Sequence, residues 1–166
     1  MAGVRAIMAA MKHWLMKSEP EEFSIDVLER VGTEPWTGVR NYQARNFMLK
    51  DMKVGDPILF YHSNCAVPGV VGIAKVASKP YPDPTQFDPD SDYHDPKSKP
   101  EDPRWWMVDV GFERKFDGTV SLEQMKARAD EFGDFTLLRR GNRLSVMPVE
   151  AAQYKRILSM AKAGGR

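Results

Sequence analysis

Apolar and polar positions change places in short blocks along this chain, and most blocks carry their own stop signal. His13 to Lys17 (HWLMK) reads as a strand ended by Pro20. Phe23-Ser24 opens a helix through Arg30, with Ser24 as N-cap and Phe23 placed to staple against Leu28. A second helix is predicted from Asn41 to Met52, because Ala44, Phe47, Met48 and Met52 fall on one face, and Gly55-Asp56 then turns the chain. Pro57 to His62 and Val70 to Ala77 are β-branched and aromatic runs joined by Val67-Pro68-Gly69, so they read as paired strands, with Pro57 fitting only as a first residue.

The segment from Tyr81 to Pro103 holds six prolines, which forbid a regular helix or central strand and predict a long excursion over the surface. From Trp105 to Phe116 the pattern resumes as a strand, Trp106, Val108 and Val110 alternating with Trp105, Met107 and Asp109. Ser121 and Gln124 have capping-box spacing and Val120 can staple against Met125, giving a helix to about Arg128. A last strand is expected at Arg143 to Met147, with Pro148 opening a closing helix whose buried face is Val149, Ala152, Ile157 and Met160. Short strands that do not alternate strictly with helices point to an α+β fold, a small curved sheet or β-barrel flanked by short helices.

Composition narrows this picture. With 166 residues, 42% hydrophobic and 28% charged, the chain suits one domain with a continuous core. We expect that domain over 12–163, between a flexible extension over 1–11, with Met11 as an alternative start, and a disordered tail over 164–166. A mean hydropathy of −0.48 and the lack of a long apolar run argue against a membrane partner. The single Cys65 makes neither a disulfide nor a multi-cysteine metal site, so a reducing compartment is expected, the cytoplasm or, in a eukaryote, the nucleus. A monomer without cofactor or metal is the simplest expectation.

The net charge of +1 conceals a polarised chain. Tyr81 to Pro103 carries seven acids against two bases, whereas Arg139 to Arg166 carries seven bases against one acid. The basic end predicts phosphate contacts, with Arg139, Arg140, Arg143 and Lys155 as candidates.

Candidate chemistry is thinner. His62-Ser63-Asn64-Cys65 invites a nucleophile reading, but no nucleophile-elbow glycines surround it, and a strand-end histidine before Ser-Asn more often serves a turn. The acids of the proline-rich segment lack the spacing and glycine of a calcium loop. There is no glycine-rich dinucleotide motif and no Walker loop. What remains is a set of aromatic and polar residues near predicted element ends: Trp14, Lys17, Ser18, Trp36, Asn41, Tyr42, Tyr61, His62 and Ser63. Aromatic faces stack on a planar heterocycle while Asn, Ser and Lys bond its edge. Core packing is the favoured reading of Trp14 and Tyr61 taken alone, because aromatics on strands are usually buried, but Trp36 lies in a turn between Pro35 and Thr37-Gly38.

Several strings in fixed order resemble the EVE family from Trp14 almost to the end: Trp14-Leu15-Met16-Lys17-Ser18-Glu19-Pro20, Trp36-Thr37-Gly38-Val39-Arg40-Asn41-Tyr42-Gln43-Ala44-Arg45-Asn46, Leu59-Phe60-Tyr61-His62-Ser63-Asn64, Pro68 to Ala74 and Arg143 to Val149. The resemblance implies a PUA-like fold, related to modules that recognise modified bases in DNA or RNA. It implies a base-binding pocket at the barrel mouth, formed here by Lys17, Ser18, Trp36, Asn41, Tyr42, His62 and Ser63. On that reading the protein is a non-catalytic reader of a modified base, a cytosine derivative flipped from its stack, with Trp36 stacking on it and Asn41, Ser18 and Ser63 reading its edge. The alternative, from the related ASCH branch, is a small amidohydrolase acting on modified cytidine through Lys17 and Glu19.

Overall fold

The computed structural model describes residues 11–164. The extension expected over 1–11 and the tail expected over 164–166 therefore lie, apart from Met11 and Gly164, outside the described residues.

Strand β1 (His13–Ser18) is an interior strand of the sheet, next to one edge, and both its faces are apolar: Trp14 and Met16 on one side, Leu15 on the other, all buried. It pairs in parallel with β3 (Pro57–His62) and antiparallel with β8 (Val146–Val149). With β2 (Thr33–Pro35), β4 (Gly69–Val76) and the 13-residue β7 (Asp109–Ser121), the six strands run in the order β2-β7-β4-β3-β1-β8. Register shifts in the β3–β4 and β4–β7 pairings bend the ladder, and the sheet curls into a half-barrel with β2 and β8 as free edges. One core fills the inside of the curl, with Trp14, Met16, Leu28, Trp36, Phe60 and Val110; a second, with Leu15, Tyr61, Met125 and Ile157, lies on the outer face.

Local signals place the helices. Helix α1 (Ile25–Val31) is capped by Ser24, whose Oγ accepts from the Val27 N–H at 3.2 Å. The capping box before α3 (Leu122–Ala127) forms in both directions, Ser121 to Gln124 and back. The helix predicted over 41–52 is α-helical only as α2 (Tyr42–Asn46) and continues as a π-turn over Phe47–Asp51, which still buries Ala44 and Met48.

Three predicted elements are corrected. The strand expected from Trp105 splits into β6 (Trp106–Met107) and β7, because the Val108 carbonyl between them accepts from the Trp36 N–H at 3.0 Å. The final strand comes later than Arg143 to Met147, and Pro148 belongs to it, opposite Trp14. An edge strand tolerates a residue without an N–H, so Pro148 satisfies that position as well as it would a helix start. Helix α4 (Ala151–Gly164) instead begins where Gln153 Oε1 accepts from the Glu150 N–H, and its buried face is Gln153, Ile157 and Ala161, leaving Ala152 exposed.

The proline-rich segment is more than an excursion. Its start, β5 (Tyr81–Pro82), pairs with β6, a 3-10 turn follows over Pro84–Phe87, and Asp83 and Gln86 are buried. Gln86 uses both ends of its amide: Nε2 donates to the carbonyls of Asp83 and Trp105, and Oε1 accepts from the Trp105 N–H and the Ser98 hydroxyl.

Candidate functional site

A cleft of about 960 Å³ opens where β1 and β2 end. Ser18, Phe23, Glu34, Trp36, Ser63 and Tyr93 are among its lining residues, with Arg143 and Ser145 contributed by the segment entering β8. The end of β1 is pinned on both sides: the Lys17 N–H donates to the Ser145 carbonyl at 2.8 Å, and the Ser63 N–H to the Ser18 carbonyl at 3.0 Å. Ser18 Oγ donates to the Phe23 carbonyl at 2.6 Å.

Trp36 forms the floor. It is only 8% exposed and lies perpendicular to Phe23 and Phe60, at centroid distances of 6.0 and 5.6 Å. Turn placement suggested a free stacking face; the structure makes Trp36 a core residue that also borders the cleft, so most of its ring is already covered. Two residues later, Gly38 adopts φ +88°, and a Cβ there would come within 2.6 Å of the Tyr93 ring. Glycine is therefore required on two grounds, backbone conformation and the close approach of an aromatic.

The proline-rich segment is fastened across this turn. Buried Asp83 accepts from the Gly38 N–H at 2.8 Å, from Arg40 at 3.1 Å, and from the N–H and hydroxyl of Thr85 at 2.8 and 2.6 Å. Burial pushes the Asp83 carboxyl up, but the bonds from Thr85, Gly38 and Arg40 outweigh it and hold the group below the usual carboxylate range. Arg40 also donates to the Tyr93 carbonyl and to Thr85, which sets the partly exposed Tyr93 ring at the rim.

Of the seven residues expected to form the pocket, the cleft brings together Lys17, Ser18, Trp36 and Ser63, but not Asn41, Tyr42 or His62. Asn41 Oδ1 caps α2 by accepting from the Ala44 N–H at 3.0 Å, and Tyr42 stacks on Trp105 at 4.8 Å with Arg45 over its ring. His62 Nε2 accepts from the Ile25 N–H at 3.1 Å, at the start of α1. Burial lowers the pKa of His62, the charge of Asp26 opposing it, which favours the neutral acceptor form. These three side chains hold the walls in place.

Lys17 stands opposite Tyr61 in the β1–β3 register, its ammonium 5.6 Å from that ring, and burial lowers its pKa. Alternation along β1 therefore turns Lys17 with Leu15 toward the outer core, while Ser18 follows Met16 to the inside. Glu19 accepts from the Asn64 amide, and no Lys17–Glu19 ion pair occurs among the described residues. Cys65 is not part of the cleft lining.

The basic candidates also separate. Arg143 lines the cleft, and Arg139 is bound bidentately by Asp134 at 2.9 and 2.8 Å. Lys155 lies near His13 at the opposite end of β1, where its charge helps burial to lower the histidine pKa. Arg140 is exposed and makes no ion pair among the described residues. Sequence reasoning missed Phe23, Glu34 and Tyr93 in the lining. Phe23 appeared only as a helix staple, and Tyr93 carries no local signal because Asp83 and Arg40 place it from afar.

Among the described residues no helix is long and apolar enough to cross a membrane, and no cluster of three or more His, Cys, Asp or Glu is arranged to hold a metal ion. A family model described as EVE domain matches residues 12–160. Thymocyte nuclear protein 1 of Mus musculus is 44% identical over 166 aligned positions, covering 89% of this chain and 73% of its own. Among solved structures, the human THYN1 protein in complex with 5-methylcytosine-containing DNA superposes with TM-score 0.83 at 40% identity, over 91% of this chain and 98% of that one. A Pseudomonas syringae protein superposes with TM-score 0.86 at 48% identity, over 90% of this chain and 99% of that one.

Proposed function

Because this chain belongs to the EVE domain family, we propose that it is a non-catalytic reader of DNA carrying a modified cytosine, and that the cleft where β1 and β2 end receives the flipped base. The observation that supports this reading most directly is the cleft itself: an open, preformed space floored by Trp36, edged by the hydroxyls of Ser18 and Ser63, and overlooked by the partly exposed Tyr93 ring. A solved relative at 40% identity was crystallised with 5-methylcytosine-containing DNA, which favours the same chemical class of ligand here.

On this reading Tyr93 offers the stacking face that Trp36 largely withholds, and Arg143 meets the phosphate beside the flipped nucleotide. Arg139, with its fork occupied by Asp134, and Lys155, at the far end of β1, fall outside the footprint. The amidohydrolase alternative loses its support, since Glu19 is engaged by Asn64 and Lys17 faces Tyr61.

The test is an anisotropy titration with duplexes that differ only by one 5-methylcytosine. Tighter binding of the modified duplex, with the oligonucleotide recovered unchanged by mass, is the expected result. Equal affinity for both duplexes, or a deaminated or deacylated product, would overturn the proposal.

A further inference from the structure

Among the side chains that line the cleft, the Glu34 carboxylate and the Trp36 indole N–H stand out as an acceptor and a donor that the fold leaves unused. Three tryptophan N–H groups are satisfied: Trp14 donates to Asp56 at 3.0 Å, Trp105 to Asp95 at 2.8 Å and Trp106 to the Pro103 carbonyl at 3.1 Å. The Trp36 indole N–H has no acceptor among the described residues. Nor is it sealed away, because the one side-chain nitrogen or oxygen there that is fully buried and unpartnered belongs to Asn142. The N–H of Trp36 is therefore neither bonded nor fully enclosed, and the residue that carries it lines the cleft.

Glu34 lies two residues earlier. It pairs with Val110 across β2 and β7, so its side chain shares the inner face with Val110 and Trp36. It lines the same cleft, is half-buried, and makes no hydrogen bond or ion pair among the described residues. Burial, reinforced by the nearby Asp109 charge, raises its pKa. A carboxylate partly withdrawn from water without a donor is held at a free-energy cost that a ligand donor removes.

We propose that Glu34 and Trp36 together read the amino edge of the base, the Glu34 carboxylate accepting from the exocyclic amine and the Trp36 indole N–H donating to the adjacent ring nitrogen or carbonyl. This inference rests on the base-binding reading and deepens it, since it makes the cleft selective for a 5-substituted cytosine over a 5-substituted uracil. The two pyrimidines can carry the same methyl group. They differ in that cytosine presents a donor amine beside an acceptor nitrogen, whereas thymine presents an acceptor carbonyl beside a donor N–H. Against Glu34 and Trp36 the thymine pattern sets acceptor to acceptor and donor to donor, and a site built from such groups rejects a ligand that leaves them unpaired.

The test uses single-stranded oligonucleotides with 5-methylcytosine, thymine or cytosine at one position, so that no base pair has to be opened. The wild-type protein should prefer 5-methylcytosine to thymine by about ten-fold or more. Glu34→Gln, whose amide presents either a donor or an acceptor, should bring that ratio to within about three-fold while leaving the melting temperature in place. Wild-type binding of 5-methylcytosine and thymine alike, alongside a retained preference over plain cytosine, would sink the edge reading and leave the base-binding reading standing. So would a Glu34→Gln protein that keeps the full ratio, and Glu34→Thr serves if the glutamine variant fails to fold. Loss of any preference for 5-methylcytosine over cytosine in the wild type would sink both.

Discussion

At the scale of single residues, Trp36 joins stability to recognition. Its ring closes the inner core against Phe23 and Phe60, yet its indole edge borders the cleft. Trp36→Ala should therefore lower folding stability by about 3–5 kcal/mol, as large-to-small changes of buried aromatics do. Trp36→Phe should recover most of that while losing the indole N–H that the proposal assigns to base recognition. Urea denaturation of both variants checks this, and an alanine variant as stable as wild type would mean that Trp36 is not a core residue. Asn41 and His62 teach the complementary lesson. Their types suit base recognition, but each lies beside a helix start whose unpaired N–H groups need acceptors, and that local demand takes the side chain. Residue type was legible in the sequence; the competing duty was not.

Among elements, the proline-rich segment shapes the site most. Asp83 ties it to the Gly38 turn, and Arg40 spans from Asp83 to the Tyr93 backbone, so two stretches of loop move as one wall. Asp83→Ala removes an acceptor from the buried carboxylate's partners and should cost about 1–3 kcal/mol. More specifically, it should speed hydrogen exchange of the Gly38 amide, while the Ala44 amide, capped separately by Asn41, stays protected. Unchanged exchange at Gly38 would show that the strap does not hold the turn. The sequence marked the segment through its prolines but could not show the fastening, which joins residues about 45 positions apart. Caps were legible for the opposite reason: Ser24 to Val27 and Ser121 to Gln124 are three-residue matters. Pro148 defeated local reading because an edge strand and a helix start accept proline equally, and pairing with Trp14 decides between them.

For the whole molecule, folding redistributes what the linear charge pattern suggested. The basic C-terminal stretch is divided by the Arg139–Asp134 and Arg156–Glu131 pairs and by the placement of Lys155 at the end of β1 away from the cleft. Of the four candidates, Arg143 alone lines the cleft. The cleft itself assembles from strand ends and loops distant in sequence, so its outline came from the resemblance of whole strings and its lining from the curl of the sheet. A second hollow of about 370 Å³, lined by Ile73, Lys75, Arg114 and Tyr154 among others, supplies the comparison that the central claim needs. Amide and indole nuclear magnetic resonance shifts followed during titration with a 5-methylcytosine oligonucleotide locate the bound base directly. The account predicts shifts concentrated at the Ser18, Gly38 and Ser63 amides and the Trp36 indole N–H. Shifts centred on Ile73, Lys75, Arg114 and Tyr154, with the Trp36 indole unmoved, would contradict it.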